Sequence, residues 1–126
     1  MGAKFRFYHP GLVRQVAGEF FDYEETVPVS RIGSIGAQAG IYLLLGADGT
    51  IVHMGKAMRR KGVQARLAEH MAIPKRRAAT DKVVVFAMNP LIRLKELLAI
   101  EGGVADLLRL RGHIPTKRWP RGSGTD

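Results

Sequence analysis

The sequence contains no cysteine among its 126 residues, which excludes disulfide bonds, cysteine nucleophiles and thiolate zinc sites. Any metal ion must therefore be bound by oxygen or imidazole ligands. Long apolar runs are also absent, since no stretch approaches the roughly 20 residues that a membrane-spanning helix requires. The opening segment MGAKFRFYHP lacks the apolar core of a signal peptide. We therefore expect a cytoplasmic or nucleoid-associated protein that has no membrane partner.

Acidic residues are few, because 11 Asp and Glu stand against 20 Lys and Arg and leave a formal net charge of +9. Such an excess of positive charge predicts a polyanionic partner. Because the hydropathy argues against a membrane, we expect that partner to be nucleic acid. Apolar residues make up 46% of the chain, which suffices for one compact core. The composition does not indicate an oligomeric state.

The hydrophobic pattern predicts an α+β fold: a small, mainly antiparallel three-stranded sheet flanked by helices. Strands are expected at residues 40–45, 50–54 and 82–88. The Asp48-Gly49 pair predicts a hairpin turn between the first two strands. A continuous apolar run makes the third strand the buried, central one.

Helices are expected at residues 63–71 and from the Asn89-Pro90 pair onward, since asparagine and proline favour a helix start. The second of these helices carries Glu101 on its inward stripe, and the glycine pair that follows Glu101 could bend or break it. Residues 73–80 are interpreted as a basic loop. Residues 1–39 are expected to form an N-terminal extension, and residues 120–126 a flexible tail. Within the extension we expect a strand at 4–8, a helix at 11–21 and a loop at 27–39.

Three short motifs follow the N-terminal extension. The tripeptide Gly40-Ile41-Tyr42 opens the predicted hairpin, the return strand ends with VHMGKA at residues 52–57, and RLAEH follows at residues 66–70. This order and spacing resemble the GIY-YIG nuclease family over residues 40–119. The first motif matches letter for letter. The second has His53 in place of the usual tyrosine and Met54 in place of the aliphatic residue, while Gly55, Lys56 and Ala57 agree with a common family continuation.

The resemblance implies a nuclease domain at residues 40–119 and a metal-dependent endonuclease activity. Within the segment ELLAIE at residues 96–101, Glu101 corresponds to the family's metal-binding glutamate, and Glu96 is the alternative. The implied metal ion is a single Mg²⁺ or Mn²⁺. Pro115 and Trp119 resemble the family's last element, which lacks its asparagine here. The catalytic residues that the resemblance implies are Tyr42, His53, Lys56, Arg66, His70 and Glu101.

The same residues suit phosphodiester hydrolysis, which needs a base for the attacking water and positive charge for the transition state. A carboxylate holding a divalent ion supplies a Lewis acid, Arg66 can clamp a phosphate oxygen, and Tyr42 or His53 can orient or deprotonate water. Imidazole has an ordinary pKa near 6.5 and a phenol near 10, so we hypothesise that His53 is the general base. The competing hypothesis is that this substitution weakens or abolishes turnover.

Three basic runs are expected to contact the phosphate backbone. They consist of Arg59, Arg60 and Lys61, of Lys75, Arg76 and Arg77, and of Lys117 and Arg118. Two alternatives stay open. The chain could be a catalytically inactive module that keeps the nuclease fold and binds nucleic acid. It could also be a basic structural or assembly protein in which the motif match is coincidental. The sequence leaves strandedness, sequence preference and biological pathway undefined.

Overall fold

The computed structural model describes residues 10–58, 62–108 and 110, and this part of the chain has an α+β architecture. The strand expected at residues 4–8 and the tail at 120–126 lie outside the described residues. Short 3-10 helices cover Gly18–Phe20 and Val29–Ser34. The remaining elements are α1 (Pro10–Ala17), β1 (Phe21–Pro28), β2 (Gly40–Leu45), β3 (Ile51–Ala57), α2 (Gly62–Met71), α3 (Pro74–Ala79), β4 (Lys82–Met88) and α4 (Leu94–Leu107).

The sheet has four strands in the order β1-β4-β2-β3, and every neighbouring pair is antiparallel. The prediction of three strands was wrong because it missed β1, whose C-terminal end falls in the stretch interpreted as a loop. The sequence of β1, FDYEETVP, shows no apolar alternation, and its residues are half-buried or exposed. Its backbone pairing with β4 defines it, and hydrophobic periodicity does not reveal such an edge strand.

The hairpin of β2 and β3 forms as the sequence predicts. Gly49 adopts a positive φ of 86°, and the Asp48 carboxylate accepts a hydrogen bond of 2.7 Å from the Thr50 hydroxyl. β3 continues to Ala57, three residues beyond the expected end. A register shift between Leu44 and Leu45 determines which residues of β3 share a face with those of β2. That register matters for the candidate site.

Helices cover both faces of the sheet. One face packs against α1 and α4, and we call it the α1/α4 face; the other packs against α2, and we call it the α2 face. The α1/α4 face buries Ile41, Leu43, Val84, Phe86 and Met88 against Val13, Leu97, Ile100 and Val104. The α2 face buries Tyr42, Leu44, Val83 and Val85 against Val63 and Leu67.

α3 occupies the stretch that the sequence analysis interpreted as a basic loop, so that interpretation was wrong. The preceding Ile73 is extended, as expected for a residue before proline, and Pro74 lies in the first turn of the helix. The Thr80 hydroxyl donates a hydrogen bond of 2.8 Å to the carbonyl of Arg76 and closes the last turn. α3 thereby fixes the orientation of its basic side chains.

α4 begins five residues later than the Asn89 start that the sequence predicted. The Asn89 side chain accepts a hydrogen bond of 2.9 Å from the amide of Leu91, which closes a turn, and Leu91 is 81% exposed. The helix then continues through Gly102 and Gly103 without a break. A Cβ on Gly103 would lie 2.9 Å from Val16 Cγ1, so this glycine permits the close crossing of α1 and α4. Within the described ranges, no helix is long and apolar enough to cross a membrane.

β1 is the acidic strand of the sheet, with Asp22, Glu24 and Glu25 among its eight residues. Glu24 accepts a hydrogen bond of 2.6 Å from Arg14 of α1. The strand order puts β1 at one edge of the sheet and β3 at the other. The acidic strand and the strand of the second motif therefore lie on opposite edges.

Candidate active site

Tyr42 lies across the backbone of Gly55. The two residues are directly paired in the β2–β3 ladder, and the tyrosine ring is 1% exposed. A Cβ on Gly55 would lie 2.6 Å from Tyr42 Cζ and closer still to its hydroxyl oxygen. Only glycine at this position leaves room for the ring. The first and second sequence motifs therefore meet in one contact.

The hydroxyl oxygen of Tyr42 lies 2.6 Å from Nε2 of His70, which is buried at the end of α2. The other ring nitrogen, Nδ1, lies 2.5 Å from Nη1 of Arg76. A guanidinium only donates hydrogen bonds, so Nδ1 must accept, and the imidazole hydrogen must reside on Nε2. His70 therefore donates to the oxygen of Tyr42, and the three side chains form a directed chain of hydrogen bonds.

His53 completes the aromatic cluster on the α2 face. It pairs with Leu44 in the ladder, and strand alternation orients its side chain toward the same face as Tyr42. Its ring centroid lies 4.7 Å from that of His70, with the two ring planes inclined at 52°. Two imidazoles and a phenol are thus packed side by side in a buried position.

Arg66 approaches the same phenol from the exposed side of α2. Its Nη1 donates a hydrogen bond of 2.8 Å to Glu69. Burial raises the pKa of Tyr42 to about 12; the positive charge of Arg66 opposes this rise, and the negative charge of Glu101 adds to it. Tyr42 is therefore a neutral phenol near pH 7, and its oxygen accepts a hydrogen bond from His70.

Lys56 and Glu101 lie on the opposite face of the hairpin. Lys56 pairs with Ile41, whose side chain belongs to the α1/α4 face, and its Nζ lies 3.8 Å from an oxygen of Glu101 on α4. Glu101 is 1% exposed, which agrees with the inward position that the sequence predicted. Its charge still acts on Tyr42, so the two halves of the candidate site are electrostatically coupled around β3.

The basic run of α3 does not act as a unit. Lys75 and Arg77 are exposed, as expected for phosphate contacts, whereas Arg76 is half-buried and directed toward His70. The sequence analysis missed this role of Arg76 because it interpreted the segment as a loop. Pro74 was the available signal, since a helix that starts there gives the three basic residues different directions. The runs at Arg59–Lys61 and Lys117–Arg118 lie outside the described residues.

A cavity of about 770 Å³ opens between α1 and α4, away from the tyrosine cluster. Its wall is apolar at Val16, Phe20 and Ile100 and carries the carboxylate of Glu96. Glu96 also accepts a hydrogen bond of 2.8 Å from the amide of Arg93 at the start of α4. The alternative carboxylate thus serves the helix terminus and this cavity, and Glu101 is the one coupled to Tyr42.

Neither the protein-family models nor the curated proteins that were compared with the chain give a match. The GIY-YIG resemblance therefore depends on the residues and contacts described above.

Proposed function

We propose that this chain is a metal-dependent endonuclease of the GIY-YIG type that hydrolyses phosphodiester bonds of nucleic acid, with DNA as the expected substrate. The observation that carries the proposal is the convergence of Tyr42, His53, Arg66 and His70 on the α2 face of one hairpin. These residues come from three separate sequence motifs. A purely structural hairpin requires neither a buried Tyr–His hydrogen bond nor a guanidinium directed at the same oxygen.

The charge around the phenol supports an anionic substrate. The positive charges of Arg66 and Arg76 both lower the pKa of Tyr42. Both guanidiniums therefore favour negative charge close to the Tyr42 oxygen. In the proposed complex, the phosphate lies at the edge of β3, where Arg66 clamps a non-bridging oxygen and Lys75 and Arg77 hold the neighbouring backbone.

His53 is the better candidate for the general base. With a pKa of about 12, only about one Tyr42 in 10⁵ is ionised at pH 7. The ordinary pKa of an imidazole lies near 6.5, well below that of a phenol, which makes this type of side chain the usual general base near pH 7. We assign proton abstraction from the attacking water to His53. Tyr42 orients that water or the phosphate by donating a hydrogen bond.

A divalent ion would depend on Glu101. Within the described ranges, no group of three or more His, Asp or Glu side chains could hold a metal ion, so a cage made of protein alone is absent there. Mg²⁺ commonly keeps several waters and binds through one or two carboxylates together with substrate phosphate, and a single buried carboxylate fits that mode. When bound, the ion supplies Lewis-acid stabilisation of the phosphoryl oxygens. When no ion is bound, the ammonium group of Lys56 balances the negative charge of Glu101.

The first test is cleavage of labelled single-stranded, double-stranded and branched DNA, and of RNA, with Mg²⁺, Mn²⁺ or chelator. We expect cutting that requires a divalent ion and is lost in Glu101→Gln, while Glu96→Gln, one turn and a half earlier on the same helix, retains it. Binding without cutting under every metal condition would instead identify an inactive nucleic-acid-binding module. Absence of both would favour a structural or assembly protein.

The role of His53 has its own test, a profile of kcat against pH for the wild type and His53→Tyr. If the imidazole is the base, the wild-type rate falls at acidic pH as the ring becomes protonated, and this limb disappears in the variant. An acidic limb that is unchanged in His53→Tyr would remove His53 from the mechanism.

A further inference from the structure

We propose that Arg76 is a positioning residue, which holds His70 as the neutral tautomer with its hydrogen on Nε2 and thereby leaves the hydroxyl proton of Tyr42 for the substrate. The tautomer follows from contacts alone, whereas the use of the Tyr42 proton depends on the proposed nuclease function. The sequence predicted nucleic-acid contact for Arg76, whereas its half-buried guanidinium lies against His70.

The position of Arg76 is fixed from both sides. The Thr80 hydroxyl donates a hydrogen bond to the backbone carbonyl of Arg76 at the end of α3, and the guanidinium of Arg76 lies 2.5 Å from His70 Nδ1. Arg77, the next residue, is exposed. Adjacent positions of one helix therefore hold an inward arginine and an outward one. The two side chains have the same chemistry and different surroundings, so each is the natural control for the other.

The direction of the hydrogen bonds determines what Tyr42 can do. His70 Nε2 donates to its oxygen. With this bond accepted, the hydroxyl hydrogen of Tyr42 is directed away from His70. If the hydrogen of His70 were on Nδ1, Tyr42 would have to donate its hydroxyl proton to Nε2. That proton would then be unavailable for a hydrogen bond to the substrate. Arg76 thus decides whether the phenol is a donor to substrate.

The charged and titratable groups around His70 come from four elements. Tyr42 on β2 and His53 on β3 contact its ring, Arg76 approaches from α3, and the Arg66–Glu69 pair lies on its own helix. A second proton on His70 would have to reside on Nδ1, where it would face the guanidinium of Arg76. We therefore expect His70 to remain neutral at pH values at which an exposed histidine becomes charged.

Nitrogen-15 NMR of the four histidines in the full chain reports the tautomer directly, because protonated and unprotonated ring nitrogens have widely separated shifts. In the wild type, one buried histidine should show an Nε2–H tautomer that persists as the pH is lowered from 8 to 5. Its assignment follows from His70→Gln. Arg76→Met should give a mixture of tautomers and a ring that titrates in this range, Arg76→Lys should restore the wild-type spectrum in part, and Arg77→Met should leave it unchanged.

Kinetics with the cleaved substrate extend the test to Tyr42. Arg76→Met should lower kcat by about ten- to a hundredfold, the usual effect of losing one charge-assisted hydrogen bond, with little change in KM. Arg77→Met should raise KM and weaken binding. Equal effects of the two variants on KM, or an Nδ1–H tautomer in the wild type, would overturn the assignment. A wild type that shows the Nε2–H tautomer and cuts no nucleic acid would refute the nuclease proposal and leave the tautomer assignment standing.

Discussion

Gly55→Ala tests the contact on which the candidate site is built. The new methyl group would lie 2.6 Å from Tyr42 Cζ, whereas ordinary contact begins near 3.4 Å, so the ring must move by at least about 0.8 Å, and the hydroxyl oxygen, which would lie closer still, by more. Overpacking of this kind costs about 1–3 kcal/mol. The movement also breaks or strains the buried bond between Tyr42 and His70, which adds about 1 kcal/mol. Replacing glycine by alanine also lowers the conformational entropy of the unfolded chain, which offsets about 0.4–1 kcal/mol of the destabilisation.

We therefore expect Gly55→Ala to lower the free energy of unfolding by about 1–3.5 kcal/mol, which corresponds to a fall in Tm of about 4–14 °C for a domain of this size. Urea denaturation and a thermal scan followed by circular dichroism measure both quantities. Gly36→Ala is the matched control, because a Cβ at Gly36 would meet nothing within 4 Å, and we expect a change within about 0.5 kcal/mol.

A double-mutant cycle attributes the loss to Tyr42. In a Tyr42→Ala background the ring is gone, and adding Gly55→Ala should cost much less than in the wild type, which gives a coupling of about 1–3 kcal/mol. Equal stability of Gly55→Ala and wild type would refute the reasoning, because the ring could not then lie on the glycine. A large loss in both backgrounds would place its cause in the backbone of β3.

Three further predictions concern packing and titration. Gly103→Ala should destabilise the fold by about 1–2 kcal/mol in urea denaturation, and Val16→Ala should relieve that loss, because Val16 Cγ1 is the atom that a methyl group would meet. Gly40→Ala should prevent folding, measured as loss of soluble protein, since a Cβ there would collide with the carbonyl of Phe86 in the neighbouring strand. Tyr42 should ionise near pH 12 in an ultraviolet titration. The unfolded tyrosine loses its proton near pH 10, so the free energy of unfolding should fall as the pH rises from 10 to 12, and Tyr42→Phe should remove this fall.

The predictable parts of the fold are those with strong local signals. The apolar runs of β2 and β4, the Asp48-Gly49 turn and the stripe of α2 each carry a pattern that burial imposes on sequence. β1 was missed because it is an edge strand with acidic residues, and its formation depends on the backbone of β4. α4 starts late because the Asn89 side chain accepts a hydrogen bond from the amide of Leu91. This bond closes a turn at the place where proline favours a helix start.

The resemblance named the residues of the candidate site, and the structure shows how they are arranged. Tyr42 and His70, both expected from the resemblance, lie in hydrogen-bond contact. The division of the expected residues between two faces follows from the register of β3, which includes the shift at Leu44 and Leu45. No local pattern specifies that register. The inward direction of Arg76 likewise depends on a six-residue helix that tertiary packing stabilises.

The opposite edges of the sheet have a consequence for encounters in solution. Asp22, Glu24 and Glu25 lie on β1 and Lys56 lies on β3, at the two ends of the strand order, so these charges contribute an electric dipole across the sheet in addition to the net charge of +9. The polyanionic substrate of the proposed function would exert a torque on this dipole before contact and turn the β1 edge away. Capture would then be oriented as well as accelerated, with the β3 edge facing the phosphates on arrival. The screening length of about 8 Å at physiological ionic strength is already shorter than the width of a four-stranded sheet, roughly 14 Å, so this orientation should be strongest at low salt.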